Sequence, residues 1–429
     1  MLVDGRPDQI FAAAGFALAA LVALFLVPVS ARIAWKIGAI DHPRARSLHV
    51  DPTPRLGGLA MLAGALVAGS LFLPAGQQTT SLAIGAVVIA TVGALDDVFD
   101  LPALLKLAGQ VVAAAIPAFN GVNVGAFTLP FVGGVDLRAT LFELPLIGDV
   151  HSGHLLTIIG IVAVINVINL IDGIDGLAAG VTVISAGSLA IIALSLNRPG
   201  AGVLAAITAG AAFGFLRYGF PPASSFMGDS GSNLLGFLLG AIAVQGALKT
   251  NAVIALFFPL IILAVPILDT SFVIAKRIKQ RRPIHVADRS HFHHRMADIG
   301  YSQRGTLLYL YGWAGVMAGL ALALRFVPYS DDQGNFDPFW TAVMIAFLLV
   351  ALGASFYLVV TLEILKLRLF RRRQVAVASG VEPDQAAIDA AIEREFETGE
   401  FKVVDQSTGE LSRLDQETGE FRAIDPGRD

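Results

Sequence analysis

Cysteine is absent from the chain, which excludes structural disulfides, cysteine-ligated zinc and thiol catalysis and leaves the compartment open. Charge is scarce too. Asp, Glu, Lys and Arg make up 15% of the 429 residues, against 55% hydrophobic residues and a mean hydropathy of +0.70. A soluble domain of this size does not have that balance, whereas a polytopic membrane protein does. No basic segment precedes the first apolar run, residues 10–30, and the run is too long for the core of a secretory signal. It is expected to be retained as a helix. No nucleic-acid partner is expected.

Apolar runs at residues 10–31, 57–74, 81–95, 104–119, 155–171, 177–196, 201–218, 232–247, 252–275, 305–327 and 339–365 predict an all-α membrane protein of about eleven transmembrane helices. Several are rich in Gly and Ala, as close helix packing in lipid favours. The gaps between them differ sharply in charge. One set, with Arg32, Lys36, Arg44, Arg46, Arg55, Lys106, Arg217 and the basic residues of 276–304 and 366–373, carries 20 Lys and Arg; the other, with the N-terminus, carries five. The positive-inside rule places the first set in the cytoplasm, the N-terminus outside and the C-terminus inside. The long outside segment, 120–154, reads as a short periplasmic β-hairpin with strands on either side of Gly133-Gly134, and His151 and His154 read as surface histidines.

On this map the unusual polar clusters all fall at cytoplasmic ends. Residues 166–180 read N-V-I-N-L-I-D-G-I-D-G-L-A-A-G. If the helix persists, Asn166, Asn169, Asp172 and Asp175 crowd one face, each turned about 60° from the last. Uncompensated carboxylates at the end of such a run call for water, a cation or a partner. Asp96-Asp97 ends the third run. Neighbours on a helix point about 100° apart, so one carboxylate can contact a metal or accept a proton while the other orients it. Lys106 would either present its ammonium there or snorkel to the surface. In F-M-G-D-S-G-S, residues 226–232, small residues and free N–H groups at a helix start suit a phosphate, and Asp229 among them suits a divalent cation or a plain N-cap.

The loop 276–304 carries Arg289, His291, His293, His294 and Arg295, a set of imidazoles and guanidinium groups suited to a diphosphate. Zinc would need a fourth ligand that the spacing does not show. In the first cytoplasmic loop Arg44, Arg46, His49 and Arg55 either meet phosphates or orient the chain beside anionic lipid. Asp269, two turns inside the ninth run, is either structural or functional. After residue 373 the chain becomes a tail with a short amphipathic helix candidate at 383–396, and T-G-E recurs at residues 398, 408 and 418.

Four ordered motifs, D-D-x-x-D-L, N-x-x-D-G-x-D-G-L, F-M-G-D-x-G-S and H-x-H-H, make residues 32–304 resemble the polyprenyl-phosphate N-acetylhexosamine-1-phosphate transferases. The H-F-H-H setting is similar to the GlcNAc-1-phosphate branch of that family. The resemblance implies a helical bundle in the bacterial inner membrane with a cytoplasmic Mg²⁺ site (Mn²⁺ as a substitute). It also implies transfer of a sugar-1-phosphate from a UDP-N-acetylhexosamine to undecaprenyl or another polyprenyl phosphate, with release of UMP. By the same resemblance Asp96, Asp97 and His293 are catalytic. Lys106, Asn169, Asp175, Arg289, His291, His294 and Arg295 contact substrate, and Asp229, Asn169 and Asp172 hold the metal. A homodimer is compatible with it. The competing expectations are the phospho-MurNAc-pentapeptide branch of the same family and, in another class, a secondary transporter, which would place its carboxylates at the bilayer midplane. The T-G-E tail, 374–429, lies outside the family pattern and the 1–373 membrane domain.

Overall fold

The computed structural model describes residues 8–42, 51–129, 133–144, 148–247, 302–329 and 336–353, isolated positions between 261 and 296 and at 355, and three short strands between 402 and 423. The chain separates into two units, Met1–His291 with Gln303–Ala351, and Phe292–Ser302 with Leu352–Asp429. The first is a helical bundle. Its helices are α1 (Asp8–Ile37), α2 (Gly57–Phe72), α3 (Gln77–Phe99), α4 (Ala103–Phe119), α5 (Ser152–Ile171), α6 (Leu177–Ser195), α7 (Pro199–Gly219), α8 (Gly228–Ala247), α9 (Gln303–Phe326) and α10 (Pro338–Gly353).

Nine of the apolar runs coincide with these helices and part of the run 339–365 is α10; most of the run 252–275, including Asp269, lies outside the described residues. Six of the described helices, α1, α3, α5, α6, α7 and α9, are long and apolar enough to cross a membrane. The protein is therefore a mostly helical, multi-pass membrane protein. Large apolar side chains such as Phe25, Leu71, Phe99 and Leu104 stand exposed on the bundle's outside, which lipid rather than water would cover.

Helix α8 sits at the centre. It packs on α5, α3, α2, α7 and α6, and Leu234, Leu235, Phe237, Leu238, Leu239, Ala241 and Ile242 are all buried. A helix apolar on every side belongs inside a bundle. Its first turn is gripped by two glycines. A Cβ on Gly58 of α2 would lie 2.1 Å from the Gly231 nitrogen, and one on Gly93 of α3 would lie 2.4 Å from the Asp229 carbonyl oxygen. Any larger residue there would push the start of α8 away from its neighbours.

The segment before α8 is stitched to the segment before α2. Phe226 N–H donates to the Pro54 carbonyl at 2.8 Å, and the Gly57 and Gly58 N–H groups donate to the Phe226 and Met227 carbonyls at 3.0 and 2.9 Å. Arg55 pairs with Asp41 at 2.6 Å, so its partner in the fold is a carboxylate.

The segment between α4 and α5 holds two hairpins instead of one: β3 (Ala126–Leu129) with β4 (Gly133–Asp136), and β5 (Thr140–Leu144) with β6 (Gly148–His151). The first two strands of the chain, β1 (Ile40–Asp41) and β2 (Thr53–Pro54), form their own short ladder. Gly133 and Gly134 are not the turn. They pair with Leu129 and Thr128 as ladder residues. Nor are the two histidines both at the surface. His154 is buried, its ring centroid 4.5 Å from that of Phe119, and its Nδ1 accepts the His151 N–H at 3.1 Å to cap the start of α5. In the second unit, β7 (Lys402–Val404), β8 (Leu411–Leu414) and β9 (Phe421–Ala423) form an antiparallel meander that follows the ten-residue repeat.

Candidate active site

At one end of the bundle, opposite the two hairpins, the C-terminal end of α3, the start of α4, the α5–α6 turn and the start of α8 bring their polar side chains together. The adjacent aspartates at the end of α3 divide between two neighbours, as their angular separation on a helix requires. Asp96 is buried and faces α4. It accepts the Leu101 N–H at 2.8 Å and forms an ion pair with Lys106. Asp97 faces α8, where its two oxygens accept the N–H groups of Asp229 and Ser230 at 2.8 and 3.1 Å.

This corrects the reading of the F-M-G-D loop. The helix-start N–H groups that were expected to meet a phosphate are already held by a carboxylate of the same chain, which complements the positive end of α8. Nor is Asp229 an N-cap: it lies inside the first turn of α8, which begins at Gly228. Its side chain is free to point into the cluster. Oδ1 accepts the Asn169 amide at 3.0 Å, Oδ2 lies 3.5 Å from the Lys106 ammonium, and the carboxyl also hydrogen-bonds that of Asp96.

The α5 helix does not persist through Asp175. It stops at Ile171, Asp172 is its C-cap, and α6 starts at Leu177 after a left-handed Gly176. The four residues therefore part company. Asn166 donates to Gln110 on α4 at 2.7 Å, inside the bundle. Asn169 donates to Asp229 and, at 2.9 Å, to Ser232. Asp175 accepts the Ala223 N–H at 2.9 Å, tying the turn to the α7–α8 loop. Asp172 keeps part of its surface open, but burial first, and then the charges of Asp229, Asp97 and Asp175, push its pKa up to about 8.

The structure thus gathers Asp96, Asp97, Lys106, Asn169, Asp172 and Asp229, with Asp175 at the edge. Arg289, His291, His293, His294 and Arg295 lie outside the described residues. Residues to which the sequence reading gave no role of their own also take part: Ser230 through its N–H to Asp97, Ser232 through its hydroxyl to Asn169, and Ala223 through its backbone.

The donor set is hard oxygen, and it carries more negative charge than Lys106 alone balances. Two carboxyls in direct contact, those of Asp96 and Asp229, need a proton or a cation between them. Among the described residues no group of three or more His, Cys, Asp or Glu is placed to hold a metal ion by itself. A Mg²⁺-type cation takes one or two carboxylates and fills its remaining positions with water and substrate phosphate. Asp229 and Asp172 could supply carboxylate oxygens to such an ion. Asn169, whose amide nitrogen faces Asp229, orients that carboxylate.

A family model described as glycosyl transferase family 4 matches residues 79–247, which include every described member of the cluster. A Bacillus subtilis protein named as a probable undecaprenyl-phosphate N-acetylglucosaminyl 1-phosphate transferase is 35% identical over 351 residues, covering 81% of this chain and 91% of its own. A decaprenyl-phosphate N-acetylglucosaminephosphotransferase of Mycobacterium tuberculosis is 34% identical over 343 residues, covering 72% and 82%. An undecaprenyl-phosphate alpha-N-acetylglucosaminyl 1-phosphate transferase of Salmonella typhimurium is 26% identical over 346 residues, covering 78% and 88%.

Proposed function

The chain belongs to glycosyl transferase family 4, and on that premise we propose that it transfers GlcNAc-1-phosphate from UDP-GlcNAc to a polyprenyl phosphate and releases UMP. The observation that carries the reading is the meeting of Asp96, Asp97, Lys106, Asp172 and Asp229, from four separate segments, at one end of a membrane bundle. The relatives' names favour a GlcNAc phosphate over the phospho-MurNAc-pentapeptide and favour a transferase over a transporter. They include both undecaprenyl and decaprenyl acceptors, so the acceptor is described here by class. The charge bias of the loops supports a cytoplasmic site, the bacterial relatives support the inner membrane, and the eleven apolar runs support a count of about eleven spans.

The reaction must bring two anions together. The lipid phosphate oxygen attacks the β-phosphorus of the donor, the bond from that phosphorus to the UMP oxygen breaks, and the sugar's anomeric C–O bond stays intact. Any proton on the lipid phosphate passes to the Asp96–Asp97 pair. A Mg²⁺ ion held by Asp229 and Asp172 would lower the repulsion between the anions when bound. Lys106 stands between Asp96 and Asp229, where its ammonium can meet the donor diphosphate. Asp97 holds the start of α8, and Asn169 holds the Asp229 carboxylate in direction. Arg289, His291, His293, His294 and Arg295 are assigned to the diphosphate and sugar from their motif.

The test is UMP release by purified full-length protein. Release from UDP-GlcNAc that requires both polyprenyl phosphate and Mg²⁺ is expected. Release that ignores the lipid, or none with any UDP-N-acetylhexosamine, would contradict the assignment.

A further inference from the structure

Three hydrogen bonds join α9, the α5–α6 turn and the α7–α8 loop into a closed circuit. The Tyr311 hydroxyl donates to the Gly176 carbonyl at 2.6 Å. Asp175, one residue earlier, accepts the Ala223 N–H at 2.9 Å. Arg304 Nε donates to the Pro221 carbonyl at 3.1 Å. Arg304 and Tyr311 stand about two turns apart and so share a face of α9. α9 thereby grips both loops that flank the acid cluster, although it lies outside the segment matched to the family.

The phenol reaches Gly176 by crossing Gly180. A Cβ on Gly180 would lie 2.1 Å from the Tyr311 hydroxyl oxygen, so the path exists only because that residue has no side chain. The Gly176 carbonyl already accepts the Gly180 N–H at 2.9 Å in the first turn of α6. The phenol's bond is therefore a second one, not needed to satisfy the carbonyl, and its effect is on where the turn sits. That matters because the turn carries Asp172 and Asp175 and contains two glycines, Gly173 and Gly176, which leave it soft. Electrostatic sites lose function when a charged group drifts by a fraction of an ångström.

We propose that Tyr311 is a positioning residue: it fastens the 172–176 turn from α9 and thereby sets how tightly the acid cluster holds a divalent cation. The inference rests on the cation-assisted transferase reading given above, and its test separates the two.

The variant is Tyr311→Phe in the full-length protein in nanodiscs, which removes the hydroxyl and keeps the ring over Gly180. Mn²⁺ binding, followed by electron paramagnetic resonance of the free ion, is expected to weaken about three- to tenfold, the range that one hydrogen bond spans. The metal concentration for half-maximal UMP release should rise by the same factor, while turnover at saturating metal stays within about twofold of wild type. Gly180→Ala, which displaces the ring, should shift Mn²⁺ binding the same way. A merely structural tyrosine would lower the melting temperature and turnover and leave the Mn²⁺ constant where it was. That result, or a wild type that binds no Mn²⁺, overturns the proposal. A wild type that binds Mn²⁺ yet releases no UMP removes the transferase reading, and the Mn²⁺ titration still decides the role of Tyr311.

Discussion

At the hairpin end of the bundle, amide and hydroxyl side chains bond with neutral groups, some nearby in sequence and some across the chain. Asn120 donates to the Ile116 carbonyl at 2.7 Å and accepts from Gln77 at 2.8 Å, and Thr157 donates to the Gly153 carbonyl at 2.7 Å and accepts the Val124 N–H at 3.0 Å. At the acid-cluster end the bonds that reach across the chain end on carboxylates. Asp97 and Asp229 are 132 residues apart, Asn169 and Asp229 are 60 apart, and Asp175 and Ala223 are 48 apart. The neutral bonds fasten helix ends, whereas those of the cluster fix charged groups against one another. An end held by neutral groups tolerates change because each bond is replaceable by water. An end built from distant charges depends on every helix being in place, and its carboxylates exceed its cations.

The sharpest break in that comparison is Asp229→Asn. It keeps the shape and the Asn169 neighbour but removes one of the two carboxylates paired with Lys106, and turnover is expected to fall by about 10²- to 10³-fold or more, as when a preorganised electrostatic group is lost. Circular dichroism and melting should show a folded protein. Turnover like wild type would separate the cluster from the chemistry.

A smaller effect is expected from Asp172→Asn, read as stability in a chelator. The folded pKa of Asp172, about 8, lies above the ordinary 3.8. Between those values the folded chain keeps a proton that the unfolded chain has released, so stability linked to this group is lost as pH rises from about 4 through 8. The asparagine variant escapes that loss. Its melting temperature should exceed that of wild type by roughly 2 °C or more at pH 8 and converge with it towards pH 4. A difference that does not change with pH would contradict the crowding of charges around this turn.

The smallest change belongs to the other end. His154→Ala removes the acceptor that caps α5 and the ring against Phe119, at a cost of about 1 kcal/mol. Metal-saturated turnover should remain within about twofold of wild type. A large loss of activity with unchanged stability would mean that the two ends are coupled.

Much of the bundle was legible because apolar runs of membrane length leave the backbone little choice but helix. The site motifs were legible by residue type, since repeated carboxylates at the ends of such runs have few bland explanations. Their partners were not. Asp97 as the clamp on α8 could not be read from α3 alone, because the amides it holds belong to a helix 132 residues away. The apolar runs 155–171 and 177–196 already set the end of α5 at Ile171 and the start of α6 at Leu177; the three-residue spacing left open only whether the helix continued to Asp175. Tyr311 sits in an apolar run where an aromatic reads as packing, and the target of its hydroxyl lies on another helix. His154 was misjudged for the opposite reason: a polar residue in a long loop reads as exposed until Phe119 is known to cover it.

The central claim, that these aspartates and Lys106 form one sugar-phosphate transfer site, is tested most directly by mass spectrometry of the lipid after incubation with UDP-GlcNAc. The account predicts a polyprenyl diphosphate bearing one N-acetylhexosamine, formed by the wild type and not by Asp229→Asn. Unchanged polyprenyl phosphate with the wild type, or equal product from both proteins, would contradict it.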